Sequence, residues 1–222
     1  MSVDKVILRS VLSTLAAIVL LFAFMLGMLI GLYPSTMMEI TYDLGMDSSS
    51  IRFAERSYDW SGDEYFMAYA MEVAIGMGDT KKIETCGERL IQDEDFADYC
   101  AQENERISQD LVDGSFQKYC VDNEVEFPTD VTAMGYEEYV YGQVCVAKYE
   151  NGNKTGAVEL AFKNVAADFS QYNAVVAVLY TALGDNDATT VSMIKGKMEQ
   201  EQNKALSQGD RAYFGWVLGL IG

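Results

Sequence analysis

From Ser10 to Leu32 the chain runs through 23 residues without a formal charge. At about 1.5 Å of rise per residue a helix of that length spans roughly 34 Å, slightly more than the roughly 30 Å hydrocarbon core of a bilayer. The pattern predicts a transmembrane helix. A cleaved signal peptide is the competing reading, because Lys5 and Arg9 form a basic amino-terminal flank. The run is longer than the 7 to 15 apolar residues usual in a signal peptide, and Leu32 to Ser35 make a poor cleavage junction, which favours an anchor. Lys5 and Arg9 precede the helix while no Lys or Arg occurs from Tyr33 through Ile51, so the amino terminus is expected in the cytoplasm and the remainder outside.

Beyond Pro34 the apolar positions take a helical period. Thr36 and Glu39 have capping-box spacing ahead of Met37, Ile40, Thr41 and Leu44, with Gly45 as a stop and Asp47 to Ser50 as a joint. Ile51, Ala54 and Tyr58 suggest another short helix. Ser61 and Glu64 give a second capping-box spacing, after which Phe66, Tyr69, Ala70, Val73, Ala74 and Met77 define one face of a helix that ends at Gly78. Asp79 is placed to cap a helix carrying Ile83, Cys86 and Leu90.

After Pro128 the same grammar returns. A helix from about Tyr136 to Tyr149 meets Asn151 to Asn153, and the next shows Val158, Ala161, Phe162, Val165, Ala166 and Phe169 at helical spacing. Ala174 to Leu183 is apolar almost all round and is expected to be the most buried helix. Gly184 to Asp187 forms a turn into a helix with Val191, Ile194 and Met198 on its face. The expected organisation is a tail over 1–9, a transmembrane helix over 10–32, a stalk over 33–60 and an all-α hairpin domain over 61–222.

Gly78, Gly114, Gly152 and Gly184 lie 36, 38 and 32 residues apart, close to the mid-thirties period of helix-turn-helix repeats. In the hairpin from Tyr139 to Ala166, Gly142, Gly152 and Ala157 occupy the small-residue and turn positions, and over Ser61 to Gln202 the layout resembles the tetratricopeptide repeat family. The spacing from Gly142 to the turn is about three residues longer than in that family. Ile83 and Thr189 stand where its packing alanine is expected, and Val125 to Thr129 reads as extended chain. The resemblance implies a stack of hairpins whose concave face binds a peptide or partner protein. A non-repetitive helical bundle accounts for the same residues.

Composition narrows the roles open to such a domain. From Tyr33 to Gly222 there are 14 basic and 33 acidic residues, a net charge of about −19. That excludes nucleic-acid binding through a basic patch and disfavours lying flat on anionic lipid. The chain has no histidine, which removes Ser-His-Asp and Cys-His catalysis and histidine metal sites. No glycine-rich phosphate loop or nucleophile elbow is present. Asp93, Glu94, Asp95 and Asp98, or Asp185 with Asp187, can be read as cation ligands, but they lack the spacing of a calcium loop and fit solvated helix ends better.

Four cysteines remain, Cys86, Cys100, Cys120 and Cys145. In an oxidising compartment their even number suggests sequential disulfides, Cys86 with Cys100 and Cys120 with Cys145; the alternative is four small buried residues. Asn153-Lys154-Thr155 is a sequon in a predicted turn. Ala23, Gly27 and Gly31 place small side chains on one stripe of the membrane helix, suited to a homodimer or another membrane helix. The segment from Ala212 to Ile221, with Tyr213, Phe214, Trp216, Val217 and Leu218, is too short to span a bilayer and reads as a cap on the stack or as a docking surface. The expectation is a single-pass, non-enzymatic scaffold or accessory subunit that needs no metal or cofactor and binds a protein partner. An extracytoplasmic sensor with a ligand pocket near Tyr139, Tyr141 and Tyr180 is the alternative, and a carboxylate-based hydrolase is a third reading.

Overall fold

The computed structural model describes residues 3–112, 135–167 and 173–202, together with Gly215, Leu218, Gly219 and Ile221. Gly114, Cys120, Pro128, Phe169, Tyr213, Phe214, Trp216 and Val217 lie outside the described residues. The described part is all-α, with ten helices: α1 (Val3–Leu32), α2 (Pro34–Asp43), α3 (Asp47–Ser61), α4 (Glu64–Met77), α5 (Thr80–Ile91), α6 (Phe96–Val112), α7 (Tyr136–Glu150), α8 (Lys154–Ala167), α9 (Asn173–Gly184) and α10 (Ala188–Gln202). The Ser10–Leu32 span of α1 has a mean hydropathy of 2.8, is long and apolar enough to cross a membrane, and is not covered by the rest of the chain. Around Gly27 and Gly31 there is open space.

Four turns repeat one backbone device. Gly45, Gly78, Gly152 and Asn186 take positive φ values of 67°, 67°, 90° and 55°. The residue after each donates its N–H to the carbonyl five positions back: Met46 to Thr41 (2.8 Å), Asp79 to Ala74 (3.0 Å), Asn153 to Lys148 (2.9 Å) and Asp187 to Ala182 (2.8 Å). This closes the free carbonyls at a helix end, and a left-handed residue is what allows the chain to turn there. In three of the turns that next residue also starts the following helix. Its Oδ1 accepts from the N–H three residues on, at Lys82 (3.1 Å), Gly156 (3.1 Å) and Thr190 (3.2 Å).

These four left-handed residues are 33, 74 and 34 positions apart, with Gly62 (φ 70°) ending α3 between two hairpins, so α2/α3, α4/α5, α7/α8 and α9/α10 keep a mid-thirties period around one double-length interval containing α6. Successive helices pack on one another except at α6, which contacts α4 and α7 instead, and α5 packs directly on α7 across that interval. The helices therefore follow one another as stacked hairpins, which is the level at which the repeat-like layout holds.

Details of the sequence reading change. Ser61 is the last residue of α3 and bonds back to the Ser57 carbonyl; Asp63 caps α4 instead, accepting from the Tyr65 amide at 3.0 Å. Thr36 does not cap α2, which begins at Pro34, and Asp47 to Ser50 is already helical. The buried stripe of α4 is Met67, Ala68, Ala70, Met71 and Ala74, while Phe66, Tyr69 and Val73 sit at its edge and Met77 is exposed. Burying Met67 and Met71 completely contributes about 1.5–3 kcal/mol each. The most enclosed helix among the described residues is α7 rather than α9, because α7 has α5, α6, α8 and α9 around it. Tyr180 and Leu183 of α9 face out.

The disulfide expectation is corrected. Cys86, Cys100 and Cys145 are all buried free thiols on three different helices. The Cys86 sulfur is committed to Glu55 Oε1 at 3.7 Å, and Cys145 has no exposed surface. Burial pushes all three thiols up to about 12. At the other end of the chain, Leu218 and Ile221 pack against the core.

Candidate functional site

The first helices of three successive hairpins, α2, α4 and α7, together with α6, present tyrosines to a common surface. Tyr42 and Tyr69 meet edge to face with ring centroids 5.8 Å apart, and Tyr65 lies 6.2 Å from Tyr69. Tyr99 meets Tyr136 edge to face at 5.8 Å, and Tyr139 stands 6.0 Å from Tyr136. Edge and offset contacts of this kind match the positive rim of one ring to the negative face of the next.

Polar bonds hold the surface in place. The Tyr69 hydroxyl shares a hydrogen bond with Ser50 Oγ at 2.9 Å, and Ser50 Oγ also donates to the Met38 carbonyl at 3.0 Å, tying α2, α3 and α4 together. The Tyr139 hydroxyl donates to Glu72 Oε2 at 3.1 Å. Asn104 of α6 accepts from the Tyr136 amide at 2.8 Å, which satisfies a free donor at the start of α7 and docks α6 there.

Two clefts share Tyr69 and Glu72: one of about 740 Å³ reaches Tyr42, Asp43 and Asp47, and one of about 560 Å³ reaches Tyr65, Tyr99, Glu103 and Tyr136. A third, of about 480 Å³, continues past Glu103 to Asp63, Glu64, Asp95 and Asp98. Among the described residues, eight carboxylates and five tyrosines thus line one connected surface whose lining has a single cation, Arg106. Arg106 itself bonds Glu103 through Nε (2.9 Å) and Nη2 (2.7 Å), an example of the chemistry the surface offers to guanidinium groups.

Burial pushes Tyr99, Tyr136 and Tyr139 well above the ordinary phenol value, so all three remain neutral hydroxyls across the physiological range. Partial desolvation at the cleft rim raises Glu72, against the opposing effect of the Tyr139 hydrogen bond.

The acidic cluster read from sequence assembles differently. Glu64, which lies on α4, joins Asp93 and Asp95 with carboxylate oxygens within 4.8 Å of one another, and Glu94 is exposed outside that group. Asp93 is held by the Tyr58 hydroxyl and by the Asp95 amide at 3.1 Å. The hydrogen bond from Tyr58 lowers the Asp93 pKa, and the same bond raises Tyr58 to about 12; desolvation and the neighbouring carboxylates raise Glu64. In the second acidic pair Asp187 has a structural role, while Asp185 is exposed. Asp187 caps α10 and accepts from Lys154 at 2.7 Å and from the Tyr149 hydroxyl at 3.2 Å, which holds its pKa far below the carboxylate range.

Tyr139, Tyr141 and Tyr180 do not converge. Tyr139 reaches Glu72, Tyr141 is buried 6.3 Å from Phe96, and Tyr180 is exposed. Sequence reasoning missed the tyrosine face, although Tyr65, Tyr69 and Glu72 at i, i+4 and i+7 were its signal. Gly142 does not act as a packing residue, since a Cβ there would meet nothing within 4 Å; Ala157 is fully buried as expected.

The fold and this surface define an all-α protein with an exposed apolar amino-terminal helix and a stacked-hairpin domain bearing an acidic, tyrosine-lined face. No protein-family model, curated protein or solved structure matches the chain.

Proposed function

We propose that the chain is a single-pass, membrane-anchored scaffold or accessory subunit without enzymatic activity, and that its tyrosine-lined face binds a basic segment of a partner protein. The observation that carries this reading is the imbalance of the face, with eight carboxylates and five aromatic rings to one arginine among the described residues. Lys and Arg side chains stack on aromatic faces and pair with carboxylates, so such a lining selects cationic partners and repels acidic ones.

Retention of α1 as an anchor is supported by the way the domain holds its end. Arg56 of α3 donates to the Ile30 and Gly31 carbonyls at 3.2 and 3.5 Å, and α2 packs on α1. The expected orientation, amino terminus in the cytoplasm and domain outside, rests on Lys5 and Arg9. Arg56 is a counterweight to that asymmetry, since folding brings it to the far end of α1 although it lies 24 residues beyond Leu32 in sequence. Buried thiols with raised pKa values resist oxidation and are compatible with an extracytoplasmic domain. The uncovered Ala23, Gly27 and Gly31 stripe suits a homodimer or a second membrane helix.

The test is photo-crosslinking in native membranes from positions 72 and 102 on the face, with position 159 on α8 as control. The expected result is one different protein linked through a Lys- or Arg-rich segment from the face and not from the control, with the link lost in Tyr69→Ala and Glu103→Gln variants. Links confined to the chain or its own copies overturn the scaffold. They favour the sensor reading, for which the cleft volumes fall in the range of small-ligand sites.

A further inference from the structure

The outward face of α3 holds Arg52, Arg56 and Trp60 at i, i+4 and i+8, all exposed. The Arg56 guanidinium lies 5.6 Å from the Trp60 ring centroid while it bonds the last carbonyls of α1. Trp60 is 56% exposed and Tyr33, the first residue after α1, is 57% exposed. In a domain where acidic residues outnumber basic ones by more than two to one, Arg52 and Arg56 make no ion pair with any described carboxylate.

We propose that Arg56 and Trp60, supported by Arg52 and Tyr33, seat the helical domain on the phospholipid headgroup layer at the end of α1; this rests on reading α1 as a membrane-spanning anchor. The depth follows from the hydrogen bonds to Ile30 and Gly31. A guanidinium in contact with those carbonyls sits at the level of the helix's last turn, where a span of roughly 34 Å emerges from a core of roughly 30 Å. Tryptophan and tyrosine are favoured at that level because the ring is apolar and one edge can hydrogen-bond. Arginine has five donors, of which the two α1 carbonyls engage only part, leaving the rest for a phosphate oxygen. The occupant is the lipid phosphate rather than a protein, because the surface is continuous with the membrane helix and carries the opposite charge to the rest of the domain.

The test uses the full chain with Trp216→Phe, so that Trp60 is the only tryptophan, in phosphatidylcholine vesicles brominated either near the headgroup or deep in the acyl chain. Flotation and resistance to alkaline carbonate first establish that α1 is inserted. The expected result is blue-shifted Trp60 emission quenched at least about twofold more by shallow than by deep bromine. Arg56→Gln, which keeps donors for the α1 carbonyls but loses the charge, is expected to lose at least about half of that quenching, and Arg56→Lys to recover part of it. Floating protein whose Trp60 emits as in water and is not quenched overturns the seat while the anchor stands. Protein that does not float, or is stripped by carbonate, overturns the anchor and the seat together.

Discussion

Thr80 and Asn151 stand 71 residues apart and exchange two hydrogen bonds, Thr80 Oγ1 to Asn151 Oδ1 at 2.7 Å and Asn151 Nδ2 to the Thr80 carbonyl at 3.1 Å. One opens α5 directly after the turn of the α4/α5 hairpin and the other lies in the turn of α7/α8. The bonds therefore fix the register of two hairpins that the chain separates by α6 and a further stretch. Asn151 Nδ2 also donates to Glu84 at 2.6 Å.

Asn151→Ala removes all of these bonds from a half-buried site and is expected to cost about 1–2 kcal/mol. Asn151→Asp should cost more, because it deletes both amide donors and sets a second carboxylate against Glu84. Urea unfolding of the detergent-solubilised chain measures both, and equal stability of the Ala variant and the parent would remove the turn pair from the account.

The same hairpins meet at Gly87. A Cβ at Gly87 would stand 2.1 Å from Val144 Cγ2 and 3.2 Å from the Met71 sulfur, so α4, α5 and α7 converge on a position with room for hydrogen only. Gly87→Ala gains up to about 1 kcal/mol in helix propensity but loses about 1–3 kcal/mol to overpacking. A net loss is expected. In Gly87→Ala/Val144→Ala the added methyl occupies the space that the valine vacates, and the double variant should be more stable than the two single losses together imply by about 1 kcal/mol or more. Gly142→Ala, in open space on α7, should instead stabilise by about 0.5–1 kcal/mol.

The hairpin layout was legible because left-handed turn residues are so often glycine, as at Gly78 and Gly152. Gly184 misled the count, since it ends α9 while Asn186 takes the left-handed position that asparagine tolerates. The phase of α4 could not be read to one residue. Phe66 and Tyr69 are apolar enough to compete with Met67 and Met71 for the core, and only the neighbouring helices decide between them. Only the α4 share of the face, Tyr65, Tyr69 and Glu72, had a local period; Tyr42, Tyr69, Tyr99 and Tyr136 come from four helices, so no local period announces their meeting. The even cysteine count carried no information about geometry, and the structure puts Cys86 against Glu55 instead of Cys100.

Those thiols make an alkaline-pH prediction. Burial holds Cys86, Cys100 and Cys145 neutral up to about 12, against an ordinary value of 9.0 in the unfolded chain. Below pH 9 both states bind the proton and the contribution to stability is complete; between 9 and 12 only the unfolded state releases it, so stability falls as pH rises. Urea midpoints should decline progressively above pH 9, and with Cys120→Ser none of the three thiols should react with a thiol reagent at pH 8 until the chain unfolds. Rapid reaction of the folded variant would contradict their burial.

Lys148 makes the last prediction. Its side chain is only 10% exposed, with Nζ 3.2 Å from Glu84 and also bonded to Glu88, so one α7 cation neutralises two α5 carboxylates. Burial opposes the charge, but the hydrogen bonds to Glu88 and Glu84 outweigh it and raise the Lys148 pKa. Lys148→Met leaves both carboxylates without a cation and should cost about 3 kcal/mol, the low end for a broken buried pair because the carboxylates keep some contact with water and Glu84 keeps its bond from Asn151. Neutral replacement of the two carboxylates separates this from lost packing. Adding Glu84→Gln and Glu88→Gln should recover most of the loss at pH 7. A deficit that survives the double replacement would assign the role of Lys148 to packing of its aliphatic stem.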